Sequence, residues 1–172
     1  MASLIQAYLK NDPAARSGVE VLLLYPGVKA LGLHRIAHRL RSWGVPFIPR
    51  AISEFSRWIT GIEIHPGARI GKRLVIDHGM GIVIGETAEI GDDCVIYHGV
   101  TLGGVANVRA KRHPTIGDRV LIGARATLLG DIQIGNDSRI GANSLVLADV
   151  SPATTVTGLH RGNVSEKGSP SI

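Results

Sequence analysis

The chain has one cysteine, Cys94, in 172 residues, so no intrachain disulfide can form and a cysteine-based zinc site is excluded. Long hydrophobic runs are missing too. Lys10, Asp12 and Arg16 interrupt the first thirty residues, and no stretch reaches the ~18 apolar residues of a membrane span. With the lone cysteine, this sets the expectation of a soluble, cytoplasmic protein that needs no membrane. Aromatics are scarce, with two Trp, three Tyr and two Phe, and only Tyr97 lies beyond residue 60. Acidic residues are few at the start: residues 1–60 hold eight Lys/Arg against three Asp/Glu, while residues 61–172 hold eleven of each. The net charge of +5 therefore belongs to the first third. Without a basic run interleaved with aromatics in the remainder, nucleic acid is not an expected partner.

What the chain has instead is glycine and branched aliphatics. Eighteen of its 22 Gly follow residue 60, and 44% of all residues are hydrophobic, which excludes disorder; the length suits one domain. Ile64, Ile70 and Ile76 recur every six residues. After a two-residue shift so do Ile84, Ile90, Ile96 and Leu102, and after a longer break Ile116, Ile122, Leu128, Ile134, Ile140 and Val146. Four residues after most of these comes a second small or aliphatic residue: Ala68, Leu74, Ala88, Cys94, Val100, Val120, Ala126, Ile132, Ser138, Ser144 and Val150. Gly directly follows eight of the thirteen. Neither a helix nor a simple alternating strand has this period. It is the period of a triangular parallel β-helix, in which each hexapeptide forms one side, three close a coil, and both aliphatic positions face inward. So narrow a prism leaves no space for aromatic rings at native packing density.

The expected organisation is an N-terminal helical segment over residues 1–62, a β-helix over 63–157 with an external loop near 104–114, and a C-terminal tail over 158–172. In the helical segment, Pro26 and Gly44 bracket one helix with Val28, Leu31, Ile36, Leu40 and Trp43 on its apolar side. A second helix runs from near Pro46 or Pro49 through Phe55 and Trp58 to Gly61. Such helices would cover the unpaired strand edges at one end of the prism. His34 and His38 share a helix face, but Arg35 and Arg39 beside them predict a solvated basic surface rather than a metal site. No metal is expected, and Cys94, at an inward position, is expected to be a buried structural thiol.

Chemistry is expected where the repeat fails. His65, Asp77, Tyr97, Leu129 and Leu147 occupy the Gly-preferring position, and His78 follows Asp77. One coil plus the two-residue shift places His98 over His78, so Asp77, His78, Tyr97 and His98 should share an edge. From the period alone His78 is either a solvated corner residue or a general base acting on a hydroxyl. Glu63 lies near enough along the coil to orient its ring.

The ordered motifs Asp12-Pro13-Ala14, Ile64-His65-Pro66, Ile76-Asp77-His78-Gly79, Gly81 through Thr87, Val100-Thr101-Leu102-Gly103-Gly104 and Arg112-His113-Pro114 resemble those of serine O-acetyltransferases, over nearly the whole chain. The resemblance implies a left-handed coil and transfer of the acetyl group of acetyl-CoA to the L-serine hydroxyl, giving O-acetylserine and CoA in cysteine biosynthesis. It implies His78 as the general base and Glu63 as the carboxylate steadying it, although this family often carries Asp there. Asp12 and Asp77 would take the serine ammonium, and Arg112 and His113 its carboxylate. Gly104, Ala124 and Ala142 would meet the pantetheine arm, with Arg139 near the nucleotide. It further implies a homotrimer with sites between neighbouring prisms, in some members a dimer of trimers, and a complex with O-acetylserine sulfhydrylase through the terminal Ile172. Two competing readings are a hexapeptide acetyltransferase for a sugar or other small acceptor, and a zinc-dependent trimer like the γ-class carbonic anhydrases. The latter's histidines spaced five residues apart are absent.

Overall fold

The computed structural model describes residues 2–161. Four helices come first: α1 (Ala2–Asn11), α2 (Gly18–Leu24), α3 (Pro26–Ser42) and α4 (Ile48–Thr60). Their ends follow local chemistry. The Ser17 hydroxyl accepts the Glu20 N–H at 3.1 Å to open α2. Pro26 starts α3, where its missing N–H has no helical partner to lose. Gly61, at φ 70°, ends α4 in the left-handed conformation.

Short parallel strands then wind into coils. The first coil is β1 (Ile62–Ile64), β2 (Arg69–Ile70) and β3 (Val75–Asp77); the second is β4 (Ile82–Ile84), β5 (Glu89–Ile90) and β6 (Val95–Tyr97). The third is β7 (Thr101–Gly103), β8 (Thr115–Ile116) and β9 (Leu121–Ile122), and the fourth β10 (Thr127–Leu129), β11 (Gln133–Ile134) and β12 (Arg139–Ile140). The fifth holds β13 (Leu145–Val146) and β14 (Thr155–Val156), with Val150 bridged to Ile134 on the side between them, and β15 (Leu159–His160) begins the next turn by pairing with β13. They form three sheets, β1-β4-β7-β10-β13-β15, β2-β5-β8-β11 and β3-β6-β9-β12-β14. The fold class is the expected one, a left-handed parallel β-helix behind a helical segment.

The six-residue phase dictates the core. Every repeat aliphatic from Ile64 to Val146 is buried except Ile70, which is half-buried, and so are the eleven residues named above four positions later, Ser138 and Ser144 included; Met80 and Ala106, in the same position at the two breaks of the repeat, are exposed. Cys94 sits in this interior, where burial pushes its thiol up to about 11, and its Sγ donates to the Gly117 carbonyl at 3.1 Å. Gly158 and His160 accept backbone bonds from Leu145 and Leu147, both at 2.8 Å. The free edge of β13 thereby draws residues expected in the tail into the prism.

At the other end the first coil has no coil beneath it, and the helices satisfy its exposed edge. The Ser53 hydroxyl donates to the Ile64 carbonyl at 2.6 Å, a His38 ring nitrogen meets the Pro66 carbonyl at 2.9 Å, and Ile76 donates its N–H to the Tyr8 hydroxyl at 3.0 Å. Here the expected helix faces need correction. Ile36 and Trp43 are exposed, whereas His34, expected in a solvated basic face, is buried. The buried stripe of α3 runs through Gly27, Val28, Ala30, Leu31, His34 and Ala37, because the edge of the coil selects small residues and hydrogen-bonding groups rather than the bulkiest aliphatics.

Burial, reinforced by the nearby charge of His38, lowers the His34 imidazole to about 4. Folded His34 therefore stays neutral while the unfolded chain binds a proton below about 6.5. Its contribution to stability is complete above that pH and is lost as pH falls toward 4. Chemical denaturation at pH 7 and pH 5 should show wild type losing about 2 kcal/mol more than a His34→Gln variant; equal losses would show that His34 does not carry this pH dependence.

Candidate active site

The two-residue shift in the repeat is a longer corner between β3 and β4. His78, Gly79 and Gly81 all take positive φ there, at 62°, 86° and 78°. Gly79 is required: a Cβ on it would lie 2.5 Å from Ile62 Cδ1, inside the core. The tight closure pushes His78 outward, leaving its side chain 75% exposed. The Asp77 carboxylate stands 3.8 Å from its Nε2, and the His98 ring crosses it edge-on at 6.0 Å between centroids. His98 Nδ1 is buried and has no hydrogen-bond partner among the described residues.

The corner continues upward. Arg125 donates its N–H to the His98 carbonyl and Asn143 to the Ala124 carbonyl, both at 2.8 Å, so His78, His98, Ala124 and Ala142 follow one another up a single edge. Arg139 is exposed on the adjoining β12. Beside His78, the segment after α1 delivers Asp12 to a cleft of about 60 Å³ that Asp77 also lines, with Tyr8, Tyr25 and Tyr97. Asp12 takes the Ala14 N–H at 2.8 Å on one oxygen and the Tyr25 hydroxyl on the other. These bonds, Tyr25's first, hold its carboxyl below the usual range, and the same contact pushes Tyr25 up to about 12.

Arg112 and His113 assemble at a different corner, between β7 and β8. Thr87 organises it. Its hydroxyl oxygen accepts the Arg112 and His113 N–H groups at 3.0 and 3.2 Å and lies 2.8 Å from His113 Nδ1, which also accepts the Thr87 N–H. With Nδ1 accepting, the ring proton of neutral His113 resides on Nε2. Burial, then the neighbouring Arg112 charge, pushes this imidazole down and keeps it neutral. His113 packs against Gly85, where a Cβ would lie 2.0 Å from Cδ2. The Arg112 guanidinium pairs with Glu86 at 2.8 Å, and Arg41 of α3 binds the other Glu86 oxygen. Gly104 packs on the Arg112 backbone and side chain.

One chain therefore unites Asp12, Asp77 and His78 at one corner, and Gly104, Arg112 and His113 at another. The expected reach of Glu63 to His78 is not made within the chain: its carboxylate pairs with Arg50 at 3.4 Å and Arg57 at 3.8 Å on α4, and Asp77 is the carboxylate at the imidazole. The basic face of α4 overhangs the outward side of β1 and captures it. Tyr8, Tyr25 and Thr87 were not among the expected residues. Tyr8 and Tyr25 lie in helices and their junctions, away from the hexapeptide phase, and a threonine at a coil corner looks like any other. Among the described residues no group of three or more His, Cys, Asp or Glu could hold a metal ion, and no helix is long and apolar enough to cross a membrane.

The prism is the architecture of hexapeptide-repeat proteins, and residues 113–148 match the family model for the bacterial transferase hexapeptide. The chain is 58% identical over 162 residues to the serine acetyltransferase of Helicobacter pylori, covering 94% of this chain and 95% of that protein. Among solved structures, it superimposes on Neisseria gonorrhoeae serine acetyltransferase in complex with serine with a TM-score of 0.88 at 43% identity. On the Brucella abortus serine acetyltransferase in complex with coenzyme A it scores 0.89 at 42% identity. The matches cover 91% of this chain but 64% and 63% of those chains. The chain belongs to the serine acetyltransferase family.

Replacing Thr87 with Val removes the acceptor for two loop amides. Hydrogen exchange at the Arg112 and His113 amides should then accelerate about tenfold or more, with strand amides unchanged; unaltered exchange at both would show that Thr87 does not hold the loop.

Proposed function

We propose that this protein transfers the acetyl group of acetyl-CoA to the hydroxyl of L-serine, releasing O-acetylserine and CoA. The observation that carries this reading is the convergence of Asp12 and Asp77 on one small cleft beside His78. Two carboxylates there suit the ammonium of an amino acid, a requirement that a sugar acceptor does not have. The family relationship supports the same substrates, since relatives are solved with serine and with coenzyme A.

In the proposed mechanism, a ring nitrogen of His78 takes the serine hydroxyl proton as the oxygen attacks the thioester carbonyl. The tetrahedral intermediate collapses, the carbon–sulfur bond breaks, and the departing thiolate receives that proton from the imidazolium. Exposure of His78 at the corner leaves the ring free to meet both substrates. The carboxylate that steadies the imidazolium is Asp77, 3.8 Å from its Nε2, while Glu63 stays paired with Arg50 and Arg57 on α4. Arg112 supplies a cation and His113 Nε2 a hydrogen-bond donor to the serine carboxylate, with Glu86 and Thr87 fixing both groups. The pantetheine arm follows the small residues Ala124 and Ala142 along the His78 edge, with Arg139 toward the nucleotide, and Gly104 leaves space at the other corner.

Because Arg112 and His113 stand at a different edge from His78, a complete site requires two prisms side by side. We therefore propose a homotrimer in which each site takes His78, Asp77 and Asp12 from one chain and Arg112, His113 and Gly104 from its neighbour. Ile172, expected to engage a sulfhydrylase, lies outside the described residues.

His78→Ala should lower kcat at least ~100-fold, as expected for losing a general base, with KM for serine and acetyl-CoA changed less than about threefold. Serine-dependent release of the CoA thiol is the assay. Near-normal turnover would remove His78 from the mechanism, and release independent of serine would overturn the acceptor assignment.

A further inference from the structure

We propose that Tyr25 is the positioning residue for the substrate ammonium, acting through Asp12; this rests on the reading of Asp12 as an ammonium-binding group. Asp12 sits in a turn just past α1, held by its neighbours rather than by a strand. A carboxylate so placed has rotamer freedom that binding must remove. Tyr25 removes it in advance. Its hydroxyl donates to one Asp12 oxygen while the Ala14 N–H takes the other, so both oxygens are fixed and each keeps a lone pair.

The tyrosine is itself located by the prism. Its ring stands edge-on to Tyr8, with centroids 5.7 Å apart and planes at 88°. The Tyr8 hydroxyl accepts the N–H of Ile76, the residue before Asp77. Gly27, two residues after Tyr25, closes the junction: a Cβ there would lie 2.3 Å from the Tyr8 oxygen and 2.8 Å from Ile76. Asp12, Tyr25, Tyr8 and Ile76 thus form a continuous link that ties a carboxylate from the helical segment to the strand carrying the second one. The separation of the two carboxylates, and with it the selection of an amino-acid acceptor, is set by two aromatic rings.

A purely cohesive role for Tyr25 would affect stability alone, whereas a positioning role shifts the serine KM. Tyr25→Phe keeps the ring on Tyr8 and deletes only the hydroxyl. It should raise KM for serine about tenfold, the loss of one hydrogen bond to a charged group, with KM for acetyl-CoA unchanged and kcat within about threefold. Asp12→Asn should raise KM for serine by at least as much, and adding Tyr25→Phe to it should produce no further rise, because the hydroxyl acts only through that carboxylate. If Asp12→Asn raises the serine KM and Tyr25→Phe does not, or if the two effects multiply, the positioning role is overturned while the ammonium site stands. An unchanged serine KM in Asp12→Asn overturns the ammonium site itself, and the role of Tyr25 with it. Unfolding temperatures of all variants separate any loss of fold from these outcomes.

Discussion

Each coil of the prism hydrogen-bonds to the one beneath it through parallel strands that share one phase, so a residue's place in the core or at a corner is inherited from the residue below. Ile122 pairs with Ile140, eighteen residues on, which is one full coil. Ile76 pairs with Ile96 at twenty and Ile96 with Ile122 at twenty-six, because extra residues have been inserted between them. An insertion inside a strand would turn its inward residues outward, and every later coil would lose its core. Insertions are therefore confined to corners. The two residues added at one corner expose His78, and the longer insertion at another carries Arg112 and His113. The proposed sites of chemistry are the places where the stacking rule leaves freedom.

A comparison of corners separates structural from functional ones. Between the second and third sheets, Arg73, Asp93, Arg119 and Asp137 stack in a column, all at positive φ, with charge alternating in sign from coil to coil. Asp92, Asp118 and Asn136 each accept the backbone N–H of the coil below through a side-chain oxygen, at 2.6–2.8 Å. Positive φ is thus a habit of these corners and no mark of function in itself. These exposed ion pairs each contribute little to stability, but their pattern is free of conflict. The His78 corner is the opposite. Two imidazoles meet edge-on there, a buried ring nitrogen lacks a partner among the described residues, and two carboxylates converge. Polar groups placed against one another without mutual satisfaction suit the ligand-binding role proposed for this corner.

The division between what the sequence reveals and what it hides follows from the same geometry. In the prism, each residue faces a neighbour fixed by translation, so phase alone predicts direction, and Ile64 through Val150 fall where a count by sixes puts them. Phase also placed His98 over His78. A helix on the end of the prism has no such translational neighbour. Its buried face is chosen by the contour of the first coil, which is why His34 is interior while Ile36 and Trp43 face outward. Contacts that cross between the two regimes were the least visible: Arg50 and Arg57 drawing Glu63 toward α4, and the Tyr8–Tyr25 link, join segments whose periodicities carry no information about each other.

The aromatic scarcity then acquires a division of labour. Of the six aromatics before residue 61, Tyr8 is fully buried, while Trp43, Phe47, Phe55 and Trp58 are exposed. They do not build a second core. The prism, bounded by narrow walls, excludes rings from its interior but presents an unpaired edge at its base, where a buried N–H such as that of Ile76 must find an acceptor. A tyrosine reaching up from α1 meets that need with its hydroxyl and offers its ring as a platform for a second tyrosine. The second hydroxyl, unlike the first, is left to face a carboxylate at the mouth of the cleft. Covering the open end of a β-helix, a purely structural demand, thereby also places an acidic group from outside the repeat beside one from within it.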